Sequence, residues 1–135
     1  MPRKTDSNNP ADWIFLAESD VEAIQVLAAR EIGHPMCQSK LAEALEKVLK
    51  AELIRTGWFL EKTHDLEILP GHLQARKSDL VPQVEPLCDA LAEVYFSNRC
   101  PGFDLDDPDW PELRARLDQV ASLLQTVRAR IHGEK

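Results

Sequence analysis

Glycine and aromatic residues are scarce: five Gly, three Trp, four Phe and one Tyr in 135 residues. No glycine-rich phosphate loop and no G-x-S-x-G elbow is present, so two common loop-built catalytic devices are absent. Cysteine is sparse as well. Cys37, Cys88 and Cys100 are odd in number, widely spaced and without a C-x-x-C pair, which argues against a disulfide framework or a zinc site and reads as reduced thiols. The four histidines, His34, His64, His72 and His132, are scattered, and no H-x-x-x-H or H-E-x-x-H pair offers metal ligands. Neither a metal nor a cofactor is expected. Positive charge is also in deficit. The formal net charge is -7 and the sequence pI about 5.1, unlike proteins that grip nucleic acid non-specifically through its phosphates. That balance leaves room for a small basic pocket. No apolar run approaches the roughly 20 residues of a membrane span. The run Trp13 to Ala17 is too short for a signal peptide, so a cytoplasmic protein with no membrane contact is expected.

Helix-forming pattern is what remains. Length suggests one domain, here 9–132, after a flexible N-terminus over residues 1–8. Asn9 is suited to cap a helix with Pro10 and Asp12 in its first turn. This first helix should run to about Ile32 and stop at Gly33, with Trp13, Leu16, Ala17, Ile24, Leu27 and Ala28 on one side. Pro35 opens a second helix, ending near Thr56 before Gly57, with Leu41, Ala44, Leu45, Val48 and Leu49 as its apolar face. Thr63 can cap a third, about 64–75, which Pro70-Gly71 should interrupt or end. A fourth spans about 82–97, with its start blurred by Pro86. The acidic segment "NRCPGFDLDDPDWPE" reads as a loop, its Asp107 or Asp109 capping the last helix. Leu113, Leu117, Val120, Leu124, Val127 and Ile131 then form a core seam. Strand alternation and internal repeats are lacking. The predicted fold is all-α, an up-and-down helical bundle of about five helices.

Several charged residues break this pattern. Asp20 falls within the apolar stripe of Leu16, Ile24 and Leu27; a buried charge is costly unless paired, so it needs a cation or backbone groups across the bundle, as an internal tie or as part of a pocket. Glu52 projects on the side of Leu41, Leu45 and Val48. It can pair with Arg55 at i,i+3, or this end of the stripe can face another subunit. Glu43 with Lys47 and Glu46 with Lys50 are i,i+4 pairs in the favourable orientation. They project away from Leu41, as a solvated face would, unless the cluster is a site.

The order of short motifs bears on that choice. "AESDVEA" (Ala17, Asp20, Ala23), "EKVLKA" (Glu46, Lys47, Lys50), "THDL" (His64, Asp65, Leu66) and "NRCPG" (Arg99, Pro101) follow one another. The set resembles the HEPN family, helical domains found in prokaryotes beside minimal nucleotidyltransferases, whose pattern is A-x-x-D-[LV]-x-x-A, E-K-x-x-K-A, H-D-L and R-Y-P. The sequence departs from that pattern at Cys100, in place of tyrosine, at Glu43, where glutamine is typical, and at Glu52, where leucine is common. HEPN ribonucleases carry Arg and His separated by four to six residues. Here Arg30–His34 and Arg128–His132 enclose three residues and Arg55–His64 eight. The resemblance therefore implies a non-nuclease member with no catalytic residues of its own, a homodimer, and a partner to a separately encoded nucleotidyltransferase in a toxin–antitoxin or stress-response setting. It would bind a nucleotide or substrate, with Lys47, Lys50 and Arg99 meeting phosphates, Asp20 and His64 orienting them, and Glu46 belonging to the same motif. A ribonuclease toxin and a purely structural interaction protein are the alternatives.

Overall fold

A computed structural model describes residues 7–58, 68–99 and 108–133, with the backbone alone over 93–99. Its elements are α1 (Pro10–Ala29), α2 (His34–Arg55), α3 (Leu69–Ala75), α4 (Val81–Arg99) and α5 (Trp110–Gly133). The described residues are helices and short connections, as an all-α bundle requires. α1 and α2 form a hairpin across the turn at 30–33, and α2 lies at the centre, packed against α1, α3, α4 and α5.

The helix starts follow local chemistry. Asn9 Oδ1 accepts the Ala11 amide at 3.0 Å, and Asp109 Oδ1 accepts the Glu112 amide at 3.0 Å; each satisfies a donor that the first turn leaves orphaned. Of the two aspartates considered for α5, Asp109 is the cap. Ser7, on the flank expected to be flexible, is buried. Its hydroxyl donates to Asp12 at 2.6 Å, and its carbonyl accepts the Trp13 indole N–H at 2.7 Å.

The helix ends depart from expectation. α1 stops at Ala29, not at Gly33. The amides of Glu31 and Ile32 donate to the carbonyls of Ala28 and Leu27, a Schellman closure, with Glu31 in the left-handed position at φ 53°. Gly33 instead precedes α2, at φ 69°. Gly57 does hold the left-handed position after α2, at φ 101°, so that helix ends as expected. Pro70-Gly71 does not break α3. Pro70 sits in its first turn, where the missing N–H costs nothing, and the helix continues to Ala75. Residues 63–67, including the proposed Thr63 cap, lie outside the described residues. α4 starts at Val81 and carries Pro86 inside it.

The core corrects two faces. On α1 the buried line is Trp13, Ile14, Ala17, Val21, Ile24 and Ala28; Leu16 is only half-buried, and Asp20 lies on the flank of the line rather than at its centre. On α2 the solvated face expected around Glu46 and Lys50 does not exist. Residues 44–46 and 48–54 are all buried, because α2 has helices on every side. The α5 seam is as read: Leu113, Leu117, Val120, Leu124 and Val127 are buried and Ile131 packs against them.

Two charged clusters along the central helix

The first cluster lies between α1 and α2. Lys47 Nζ stands 2.5 Å from Asp20 Oδ2, with side chains 19% and 12% exposed. Of the two kinds of partner expected for Asp20, a cation or backbone groups, the structure supplies the cation. Glu43, expected to hold Lys47, pairs with Lys40 at 3.7 Å instead. Lys47 turns inward because the carboxylate on α1 is the less solvated partner, where attraction is less screened. Lys50 is 2% exposed. Its ammonium lies 3.1 Å from Glu46 Oε2 and 5.1 Å from the centroid of the Trp13 ring. A buried ammonium is tolerable only when paired, and the ring face adds a cation–π attraction. Trp13 and Asp20 are two turns apart on α1, so they meet Lys50 and Lys47 in the order a hairpin requires.

The structure therefore brings together Asp20 with Lys47 and Glu46 with Lys50. Of the remaining sequence candidates, His64 lies outside the described residues, and Arg99 ends α4 with its side chain outside them. His34, given no role above, is buried at the start of α2. Its Nε2 is 3.2 Å from the Asp109 carbonyl and its ring meets Trp110 edge-on at 4.9 Å, a polar tie between two helix starts.

The second cluster was only half visible in the sequence. Glu52 is 1% exposed, and both its oxygens are taken. Arg55 Nε donates to Oε1 at 2.6 Å, and Arg130 Nη1, from α5, donates to Oε2 at 2.6 Å. Arg130 also forks onto Asp79, with contacts of 3.0 and 2.6 Å, the bidentate geometry that strengthens such pairs. The Arg130 hydrogen bond holds the Asp79 carboxyl below its ordinary range. Asp79 and Glu52 in turn hold the guanidinium protonated beyond its already high value. Glu52 is thus satisfied within one chain, and the subunit interface offered for it is not needed. The i,i+3 pair with Arg55 was legible; Arg130, 78 residues away, was not. Beside this network lies an open cavity of about 220 Å³, also lined by Thr56, Leu73, Arg76, Lys77 and Ser78.

Both described thiols, Cys37 and Cys88, are buried. Burial pushes Cys37 upward, and burial with the nearby Asp89 and Glu85 charges takes Cys88 to about 12. Among the described residues no group of three or more His, Cys, Asp or Glu is placed to hold a metal ion. No helix there is long and apolar enough to cross a membrane.

Comparison with known proteins matches the chain to the family model described as HEPN domain, over residues 10–130. No curated protein and no solved structure matches the chain.

Proposed function

The chain belongs to the HEPN domain family, and from that premise we propose that it is a non-catalytic binding module that serves a separately encoded minimal nucleotidyltransferase. The observation that carries this reading is the pairing of the motif cations. Lys47 is held by Asp20 and Lys50 by Glu46, with Lys50 enclosed under Trp13. Metal-free RNA cleavage needs a cation and an acid–base group converging on one phosphate. Cations already neutralised inside the bundle are suited to fixing the α1–α2 geometry. In this reading Glu46 and Lys50 are the fixed floor of the site, and Lys47, partly exposed, is its edge. His64 and Arg99 are the groups that would reach a nucleotide or substrate. The module is proposed to act as a homodimer.

The same pairing favours a second reading, an interaction protein whose charged cluster only sets helix packing. Two measurements separate the readings. Under the module reading ATP raises the melting temperature of the wild type, and replacement of Lys47 or Arg99 by Ala removes that rise. No rise with ATP favours the interaction protein. Purified protein incubated with mixed single-stranded RNA is expected to leave it intact. Cleavage abolished by His64→Ala or Arg99→Ala would overturn both readings in favour of a ribonuclease toxin.

A further inference from the structure

We infer that the cavity at the C-terminal ends of α2 and α3, beside the last turns of α5, is an anion site for the phosphoryl end of a small ligand. It is separate from the Asp20–Lys47 cluster and does not rest on the nucleotidyltransferase partnership. Four cationic side chains line it, Arg55, Arg76, Lys77 and Arg130, against two carboxylates, Glu52 and Asp79. This local surplus stands out in a chain of net charge -7.

The carboxylates do not consume the surplus. Glu52 is held by Arg55 and Arg130, and Asp79 by the Arg130 fork. Arg76 donates Nη1 to the Thr56 carbonyl at 3.1 Å; its other guanidinium nitrogens make no hydrogen bond or ion pair among the described residues. The Lys77 ammonium forms no ion pair there either.

Helix capping takes up only the one Arg76 nitrogen that meets the carbonyl of Thr56, the C-cap of α2. Cations at helix C-termini are often explained by the orphan carbonyls of the last turn. At both helix ends backbone amides already fill that role. The amides of Gly57 and Trp58 donate to the carbonyls of Ile54 and Leu53, and those of Lys77 and Ser78 to the carbonyls of Gln74 and Leu73. Lys77 occupies the left-handed position of that second closure, at φ 57°, where glycine is the unstrained choice. The Ser78 hydroxyl accepts the Leu80 amide at 3.2 Å, which leaves its proton to donate. Lys77, Arg76 and Ser78 thus supply two charged donors and one neutral donor at one cavity wall, while Arg55 and Arg130 are balanced by Glu52 and Asp79. The ligand class follows from this donor set, because phosphoryl oxygens accept from several cationic and hydroxyl donors at once. At about 220 Å³ the cavity is below the roughly 300–1,000 Å³ of pockets that enclose whole small molecules. It fits a phosphate or diphosphate, with the rest of the ligand outside.

The test is calorimetric titration of the whole chain with inorganic pyrophosphate, inorganic phosphate and ATP in low-salt buffer, with sulfate as control. Pyrophosphate is expected to bind more tightly than sulfate. Lys77→Asn, which keeps a residue tolerant of the left-handed backbone, and Arg76→Gln should each weaken it about tenfold, near the value of one charge-assisted hydrogen bond. Lys40→Ala, at an exposed residue of α2 outside both clusters, should leave it unchanged. Tighter ATP binding that the same two variants weaken supports the site and assigns it a nucleotide; equal binding supports it and assigns free diphosphate. Pyrophosphate binding lost in Lys47→Ala but kept in Lys77→Asn would place the anion at the other cluster and overturn the inference, while leaving the proposed module intact. Binding no better than that of sulfate, or none by about 10 mM, overturns it as well.

Discussion

Glu52 shows how a single residue links distant parts of the chain. It is enclosed on α2, yet its two partners are 19% and 25% exposed, so removing its charge strands guanidinium groups that can partly rehydrate. Glu52→Gln should therefore cost about 1–3 kcal/mol, less than a fully buried pair would, read as a lower urea midpoint. An unchanged midpoint would mean the network is idle. Asp79 titrates within the same network. Its folded-state pKa lies below 3.8, chiefly through the Arg130 hydrogen bond. Such a group contributes stability above the unfolded pKa and loses it as pH falls through the folded value. The stability gap between wild type and Asp79→Asn should thus be constant near neutrality and close below about pH 3.8. A gap independent of pH down to full acid unfolding would rule out the ion pair as its source. Asp20→Ala leaves Lys47, itself 19% exposed, without its carboxylate, and about 1–3 kcal/mol should be lost. A wild-type melting curve for that variant would show the pair to be energetically neutral.

Among the helices, α4 carries the clearest local conflict. Pro86 lies six residues into it and is exposed, so the Pro82 carbonyl receives no helical hydrogen bond and the ring crowds the preceding turn. Buried Val84, Leu87, Cys88 and Leu91 hold the helix in place despite this; apolar packing outweighs propensity. Pro86→Ala should accordingly stabilise the protein by about 1–3 kcal/mol, seen as a raised denaturation midpoint. A loss of stability would mean that the ring makes a contact the helix depends on. The ends of α1 and α3 show the same priority. Their Schellman closures form around Glu31 and Lys77 rather than glycine, because Leu27 and Leu73 must be docked and the chain must turn immediately afterwards.

Whole-molecule organisation depends on the position of α2. With neighbours on four sides it needs apolar residues nearly all round, and its charged residues are accepted only where a partner is supplied: Glu46 by Lys50, Lys47 by Asp20, Glu52 by Arg55 and Arg130. Glu52 itself is then taken up within the chain. Exposed Phe15, Val26, Ile32 and Met36 are the larger apolar side chains left on the described surface of α1, α2 and their connecting turn. Light scattering at micromolar concentration is expected to give twice 15.3 kDa, in line with the proposed homodimer. A mass of one chain would remove the dimer from the proposal.

Local periodicity and end chemistry determined the all-α class, a bundle of about five helices, the cap at Asn9, an aspartate cap at Asp107 or Asp109, and the α5 seam, because each rests on residues close in the chain. Sequence also showed that Asp20 required a cation or backbone groups as partner and that the spacing of Ala17–Asp20–Ala23, Glu46–Lys47–Lys50 and the later motifs resembled HEPN domains, a family to which the match over residues 10–130 assigns the chain. Tertiary structure alone decided that the face bearing Glu46 and Lys50 is interior, that Lys47 leaves Glu43 for Asp20, and that Arg130 reaches Glu52 and Asp79 across 78 and 51 residues. A helix's own pattern gives the direction of its strongest apolar face, whereas the number of neighbours around it is set by how all the faces share out their apolar area, a property of the assembled bundle.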